Sequence, residues 1–341
     1  MSTLSVFLDV PAAQKLEGSL LKTYKQDTYS KKMFLAYKVC MSQEGQPWAS
    51  FVVHKIRRQI AQDPSLNYEY LPVMGMKSFI QASLGLLFGK HSQVIVENRG
   101  APDGCIFVIG NIDYCKLTQC QWTKLMATMK RKRIFPFFDI PYQGLSTGDL
   151  EEDTRFLQYF ISEGFEFFCS QSLSKSFGIY DEGVGILAVV ALNNQLLLCV
   201  LSQLMNFALA LWLNPPTSGA RIITSILCNP ALYEAWKLSL KEVAENIMLI
   251  KEKFKEKLRL LGTPGSWDHI TNQDGTHGYL GLNSQQVEYL VKKKHIYVPR
   301  NGRINFTCIN ASNIDYITQS INEAVIFTKG SGGKKKSPAS Q

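Results

Sequence analysis

Apolar positions along this chain alternate between short continuous runs and helix-spaced stripes, and that alternation predicts most of the elements. Residues 105–111 form a short apolar run, and residues 121–132 follow with Trp122, Leu125, Met126 and Met129 on one helical face. Next come an apolar run at 134–140, a helical pattern over 150–163, and further runs at 165–169 and 184–192. Strand, helix, strand, helix, strand in this order predicts parallel pairs joined by βαβ crossovers, hence an α/β fold. Farther on, 231–261 reads as a long amphipathic helix stopped by Gly262-Thr263-Pro264-Gly265. Strands are expected at 278–282, 296–298 and 303–306, with helices at 284–294 and 314–327, which makes a smaller α+β unit.

One stretch stands apart. No residue between Glu182 and Arg221 carries a formal charge, and residues 196–213 approach the length of a membrane-spanning helix. Asn193, Asn194, Gln195, Ser202, Gln203 and Asn206 interrupt the run and Pro215-Pro216 closes it, so it is read as a helix buried between domains or subunits, with no membrane contact. Composition is otherwise ordinary for a globular protein of 341 residues, with 45% hydrophobic and 19% charged residues. Part of the net charge of +9 sits in the terminal GKKKS and in Arg131-Lys132-Arg133, and no aromatic residues interleave with it, which argues against nucleic-acid binding. Cys40, Cys105, Cys169, Cys199, Cys228 and Cys308 lie in apolar segments and Cys115 and Cys120 in expected loops, with no C-x-x-C pair. Buried thiols in a reducing compartment are expected, and metal ligation is not. The N-terminus has neither the basic flank nor the apolar core of a secretory signal, so a cytoplasmic address is expected.

Candidate chemistry lies at two strand ends. Residues 165–178, FEFFCSQSLSKSFG, hand an apolar strand over to a serine-punctuated turn carrying Lys175, and residues 133–144, RIFPFFDIPYQG, deliver Asp139 and Tyr142. In open α/β sheets, ligands bind beyond the carboxyl ends of strands. An amine, a carboxylate and a phenol gathered there are the groups a pyridoxal phosphate site requires: the amine for a Schiff base, the carboxylate for the pyridine nitrogen, the phenol for the ring oxygen.

The blocks SVFLDVP, QPWAS, SLNYEYLPVMG, VIVENRG, FPFFDIPYQG, EGFEFFCSQSLSKSFGIYDEGVG, LNPPTSGAR, TPGSWDHIT, QVEYLVKKKHIY and GRINF, in that order, resemble the cytosolic aspartate aminotransferases, fold type I pyridoxal phosphate enzymes. The resemblance implies pyridoxal 5'-phosphate as cofactor, amino-acid and 2-oxo-acid substrates, and a homodimer. It implies Lys175 as the Schiff-base lysine and proton shuttle, Asp139 on the pyridine nitrogen, Tyr142 on the ring oxygen, and Ser172 with Ser174 on the phosphate. Tyr70 resembles the tyrosine that reaches the phosphate in the other subunit, and Arg303 the arginine that grips the substrate α-carboxylate.

Departures from the family pattern carry expectations of their own. Gly183 stands where the family has a second phosphate-binding arginine, and Leu209 where it has the arginine offered to the substrate's side-chain carboxylate by the other subunit. A shift of preference from dicarboxylic toward apolar or aromatic amino acids is therefore implied. After Arg99-Gly100-Ala101-Pro102 the chain lacks roughly 70 residues, about two βαβ units, that hold a phosphate cradle and a ring-stacking tryptophan. The expected organisation is an arm over 1–11, a small domain from 12–40 and 243–328, a truncated cofactor-binding large domain over 41–242, and a disordered basic tail over 329–341.

Overall fold

The computed structural model describes residues 18–92 and 118–331. The expected strand at 105–111, the junction at residues 99–102, Cys105 and Cys115, and the arm lie outside the described residues. The described elements are, in order, α1 (Gly18–Gln26), β1 (Met33–Phe34), α2 (Phe51–Ala61), α3 (Lys77–Phe88), α4 (Gln119–Lys132), β2 (Phe137–Ile140), α5 (Arg155–Ser162), β3 (Phe167–Ser172) and α6 (Ser174–Phe177). After these come β4 (Gly185–Val190), α7 (Asn194–Trp212), α8 (Ser218–Leu227), α9 (Pro230–Leu260), β5 (His277–Tyr279), α10 (Ser284–Lys294), β6 (Ile296–Tyr297), β7 (Arg303–Asn305) and α11 (Ile314–Ser331). The last helix thus runs a few residues into the stretch expected to be disordered.

The larger sheet has the order β2-β3-β4. Its first pair is parallel, as a βαβ crossover through α5 requires, and the register sets Asp139 beside Ser170. Its second pair is antiparallel, within the mainly parallel sheet expected. No crossover helix follows β3: only the short α6 intervenes, and Gly178 and Gly183, both left-handed, turn the chain back. Lys175 therefore sits in a connection at the same end of the sheet that Asp139 approaches.

Two apolar clusters support this arrangement. One surrounds the β2-β3-β4 sheet and takes in α2, α3, α5, α8 and the start of α9 through Trp236 and Leu240; the other joins Leu35, Phe254, Leu258, Ile304 and Phe306 to the final helices. Helix α9 serves both. It starts on the Asn229 side chain, which accepts from the N–H groups of Ala231 and Leu232, with Pro230 in the first turn where no N–H partner is needed.

Helix α7 is not buried between parts of its own chain: only 17% of its apolar window is covered, and Leu196, Leu198, Phe207, Leu209, Leu211 and Trp212 are exposed, which leaves burial between subunits as the expectation still open. Among the described residues it is the one helix long and apolar enough to cross a membrane. Cys120, Cys199 and Cys228 are likewise exposed, whereas Cys40 and Cys169 are buried. Cys120 opens α4 instead of lying in a loop, because Thr118 and Gln121 form a capping box there.

The loop after β2 is shaped by one buried carboxylate. Asp153 Oδ2 accepts from Gly144 N at 2.7 Å and Ser146 N at 3.3 Å, and Oδ1 from Thr147 N at 3.0 Å and Thr147 Oγ1 at 2.7 Å. Burial outweighs these bonds and raises its pKa from 3.8 to about 6. The folded chain then holds more protons than the unfolded one between those values, so this group's contribution to stability grows as pH falls from 7 toward 4. The gain should reach up to about 3 kcal/mol. Thermal unfolding across that range should show the slope in the native chain and not in Asp153→Asn.

Candidate active site

Asp139 and Lys175 lie at two neighbouring strand ends, and each bears on the other's charge. Asp139, 8% exposed on β2, accepts from Ser170 Oγ at 2.9 Å. Burial raises its pKa, while the Ser170 hydrogen bond and the charge of Lys175 lower it. Lys175, on the four-residue α6, sets its Nζ 5.0 Å from the centroid of the Tyr142 ring. Its pKa is lowered, first by burial and then by the charge of Arg303, with Asp139 pulling the other way. The neutral, nucleophilic amine is therefore present at lower pH than on an ordinary lysine.

Tyr142 is fully buried, and its ring packs close to Gly275. A Cβ on Gly275 would come within 2.5 Å of Tyr142 Cε2, and the residue has φ of 75°, so only glycine serves at this contact. A buried hydrogen-bonded chain ties the Tyr142 loop to the Lys175 turn. Gln143 donates to Leu150 O at 2.7 Å and to Leu86 O at 2.9 Å, and accepts from the Gln171 amide. Ser176 Oγ donates to Gln143 O at 2.7 Å, and Trp236 Nε1 to Ser176 O at 2.8 Å. Neither Gln143 nor Ser176 was anticipated, because their significance lies in backbone carbonyls brought together by the fold.

From the other cluster comes Arg303, the first residue of β7, whose charge bears on both Lys175 and His277. His277 pairs with Asn305 across β5–β7. It donates Nε2–H to Tyr37 O at 3.1 Å, which leaves Nδ1 to accept from Thr276 Oγ1 at 2.9 Å. Burial and the neighbouring cations lower its pKa to about 3, so it stays neutral. The sequence offered no signal for this residue, which stands one position before the strand expected at 278–282.

Ser172 and Ser174 flank Leu173 where β3 ends, both half-buried, with Ser174 N donating to Ser172 Oγ at 3.4 Å. Gly183 lies in the return loop with φ of 61°, and a Cβ there would meet nothing within 4 Å. Tyr70 is not brought to this cluster: it is 75% exposed in the segment before α3. Leu209 is also exposed, on α7. The structure thus gathers Lys175, Asp139, Tyr142 and Arg303, keeps Ser172 and Ser174 at the adjoining strand end, and leaves Tyr70 facing outward. Amine, carboxylate, phenol and guanidinium fit pyridoxal phosphate with a carboxylate-bearing substrate. Among the described residues no acid, histidine and thiol cluster could hold a metal.

A family model described as aminotransferase class I and II matches residues 115–321. The chain is 63% identical over 405 aligned residues to a Bos taurus protein named "Putative aspartate aminotransferase, cytoplasmic 2", covering 97% of this chain and 100% of that one. It is 33% identical over 405 residues to the cytoplasmic aspartate aminotransferase of Gallus gallus, covering 94% and 98%. Both alignments are longer than this chain of 341 residues, so both relatives carry internal residues that it lacks. Of solved structures, the cytoplasmic aspartate aminotransferase of Giardia lamblia matches with a TM-score of 0.86 at 26% identity, over 95% of this chain and 99% of that one. The aromatic-amino-acid aminotransferase of Burkholderia pseudomallei, solved covalently bound to pyridoxal phosphate, matches with a TM-score of 0.86 at 24% identity, over 94% and 100%.

Proposed function

The chain belongs to the class I and II aminotransferases, a pyridoxal-phosphate-dependent family, and on that premise we propose that it transfers an amino group from an amino acid to a 2-oxo acid, with Lys175 as its catalytic residue. The observation that carries this reading is the Lys175 amine, set against the Tyr142 ring and acted on by the charges of Asp139 and Arg303 from separate elements. When bound, pyridoxal phosphate supplies an aldehyde that condenses with amines and a ring that takes up electrons. Lys175 would hold that aldehyde and could afterwards move a proton at the substrate Cα. Asp139, steadied by Ser170, would keep a proton on the ring nitrogen, and Tyr142 would hydrogen-bond the ring oxygen. Arg303 binds the substrate α-carboxylate through its planar fork. Ser172 and Ser174 bind the phosphate, with Tyr70 reaching it from a second copy.

That last role requires a homodimer, and the exposed leucines of α7 with Phe207 and Trp212 give a second copy an apolar face to cover. A cytoplasmic location agrees with the names of the relatives. Borohydride treatment in the presence of pyridoxal phosphate, followed by peptide mapping, should find the label on Lys175. Label on Lys292 or Lys294 would refute the assignment. A scaffold without turnover is the second reading, favoured by Gly183 and by the residues present in the relatives and missing here; a chain that takes the label yet converts no amino acid would support it.

A further inference from the structure

Helix α9 carries a cation where it meets the loop beside the candidate site. Lys251 is 4% exposed, with its Nζ 5.3 Å from the centroid of the Phe306 ring. That Nζ donates to Gln273 O at 2.6 Å and to Gly275 O at 2.9 Å. The same loop is tied down by Gln273, whose Nε2 donates to His269 O and whose Oε1 accepts from Tyr279 N, and by Thr276 O, which accepts from Phe306 N at 2.8 Å. Beyond it, Asn305 Nδ2 clamps the carbonyls of Tyr37, at 2.9 Å, and Val39, at 2.7 Å. What the Lys251 bonds hold in place is Gly275, the residue on which the Tyr142 ring packs.

We propose that Lys251 is a positioning residue for Tyr142: its ammonium fixes the 273–275 loop as a wall against the phenol ring, and so sets the surface beside the Lys175 amine. A buried ammonium is costly unless its N–H groups are matched, and here they converge on main-chain carbonyls two positions apart. An apolar side chain would close the core at less cost, so packing alone does not call for a lysine at this place in α9. The carbonyls it gathers belong to a turn whose Gly275 has φ of 75°, with no room for a side chain beside Tyr142 Cε2. Charge-assisted bonds hold that turn to a long helix, and without them the loop is free to draw back from the ring. Only the effect on cofactor binding rests on the proposed function; the hold on the ring stands apart from it.

Tetranitromethane, which nitrates accessible phenols, reads that hold on the purified full chain without cofactor, with peptide mapping to score Tyr142 alone. Lys251→Met should speed nitration of Tyr142 about tenfold by letting the loop open locally. Leu258→Ala, a buried residue on the same helix whose side chain can bond no carbonyl, should lower the unfolding temperature and leave Tyr142 within about twofold of native. Lys251→Gln keeps an N–H donor on a shorter stem; it should fall between native and Lys251→Met, and it gives the reading if Lys251→Met does not fold. Nitration unchanged in the folded Lys251 variant, or raised equally by Leu258→Ala, would overturn the proposal. Pyridoxal phosphate binding supplies the second measurement. Lys251→Met should weaken it about fivefold in the native background and less than about twofold in Tyr142→Phe, because the phenol is the shared route. Equal weakening in both backgrounds would show that Lys251 acts by another route, against the proposal. A native chain that binds no pyridoxal phosphate sinks the proposed function instead, and the nitration result still decides whether Lys251 holds Tyr142.

Discussion

Lys175→Ala should leave no pyridoxal phosphate that borohydride can fix to the protein, and transamination by this variant should fall by about 10⁴-fold. Two losses combine. On the proposed role of Lys175, the amine that would hold the aldehyde is gone, and so is the base that would move a proton at the substrate carbon. The native amine suits both proposed tasks because burial and the charge of Arg303 lower its pKa, which raises the neutral share at a given pH above that of an exposed lysine. Single-turnover absorbance measurements separate the two losses. Added methylamine should restore part of the proton-transfer rate in Lys175→Ala without restoring the covalent label. If turnover persists within tenfold of the native chain, the amine serves some other purpose.

The native chain should bind pyridoxal and pyridoxal phosphate with dissociation constants within about tenfold of one another. Among the described residues, the side chains proposed to bind phosphate at the β3 end are Ser172 and Ser174, and Gly183 occupies the return loop with no side chain at all. A charge-assisted hydrogen bond is worth about 1.5–3 kcal/mol, so one missing guanidinium accounts for about ten- to a hundredfold in affinity. Gly183→Arg restores it in a place with room to spare, since a Cβ there meets nothing within 4 Å. The left-handed backbone at φ of 61° costs this variant about 1–2 kcal/mol of stability. The expected result is a chain somewhat easier to unfold that prefers the phosphate ester by an additional ten- to hundredfold. A native preference for the phosphate form of a thousandfold would show that some other group anchors it.

Most elements were legible because each carries its own signal. The helix at 284–294 was read from apolar spacing and appears with those bounds, between an Asn283–Gln286 capping box and the left-handed His295. The order of strands and helices around Asp139 and Lys175 was legible for the same reason, and the family blocks attached chemistry to those residues. The direction of β4 was not legible. Strand periodicity is blind to sense, and what reverses the chain is a pair of left-handed glycines in a short connection. Nor could the exposure of α7 be read, since an uncharged helix looks the same whether its own chain or another surface covers it. Gln143, Ser176 and His277 escaped notice because each is held by a main-chain carbonyl distant in sequence, which leaves no mark on residue type.

The clamp between Asn305 and the carbonyls of Tyr37 and Val39 spans 268 and 266 positions of sequence. Closing so large a loop belongs to the slow end of folding, after local helices and the β2-β3 crossover have formed. On a ribosome, where the N-terminal side emerges first, Lys175, Asp139 and Tyr142 can assemble while Arg303 is still unsynthesised. On the proposed roles, the nascent chain gains the amine meant to hold an aldehyde before it gains the guanidinium meant to choose among carboxylates. Selectivity would then be the last property acquired as the protein is made.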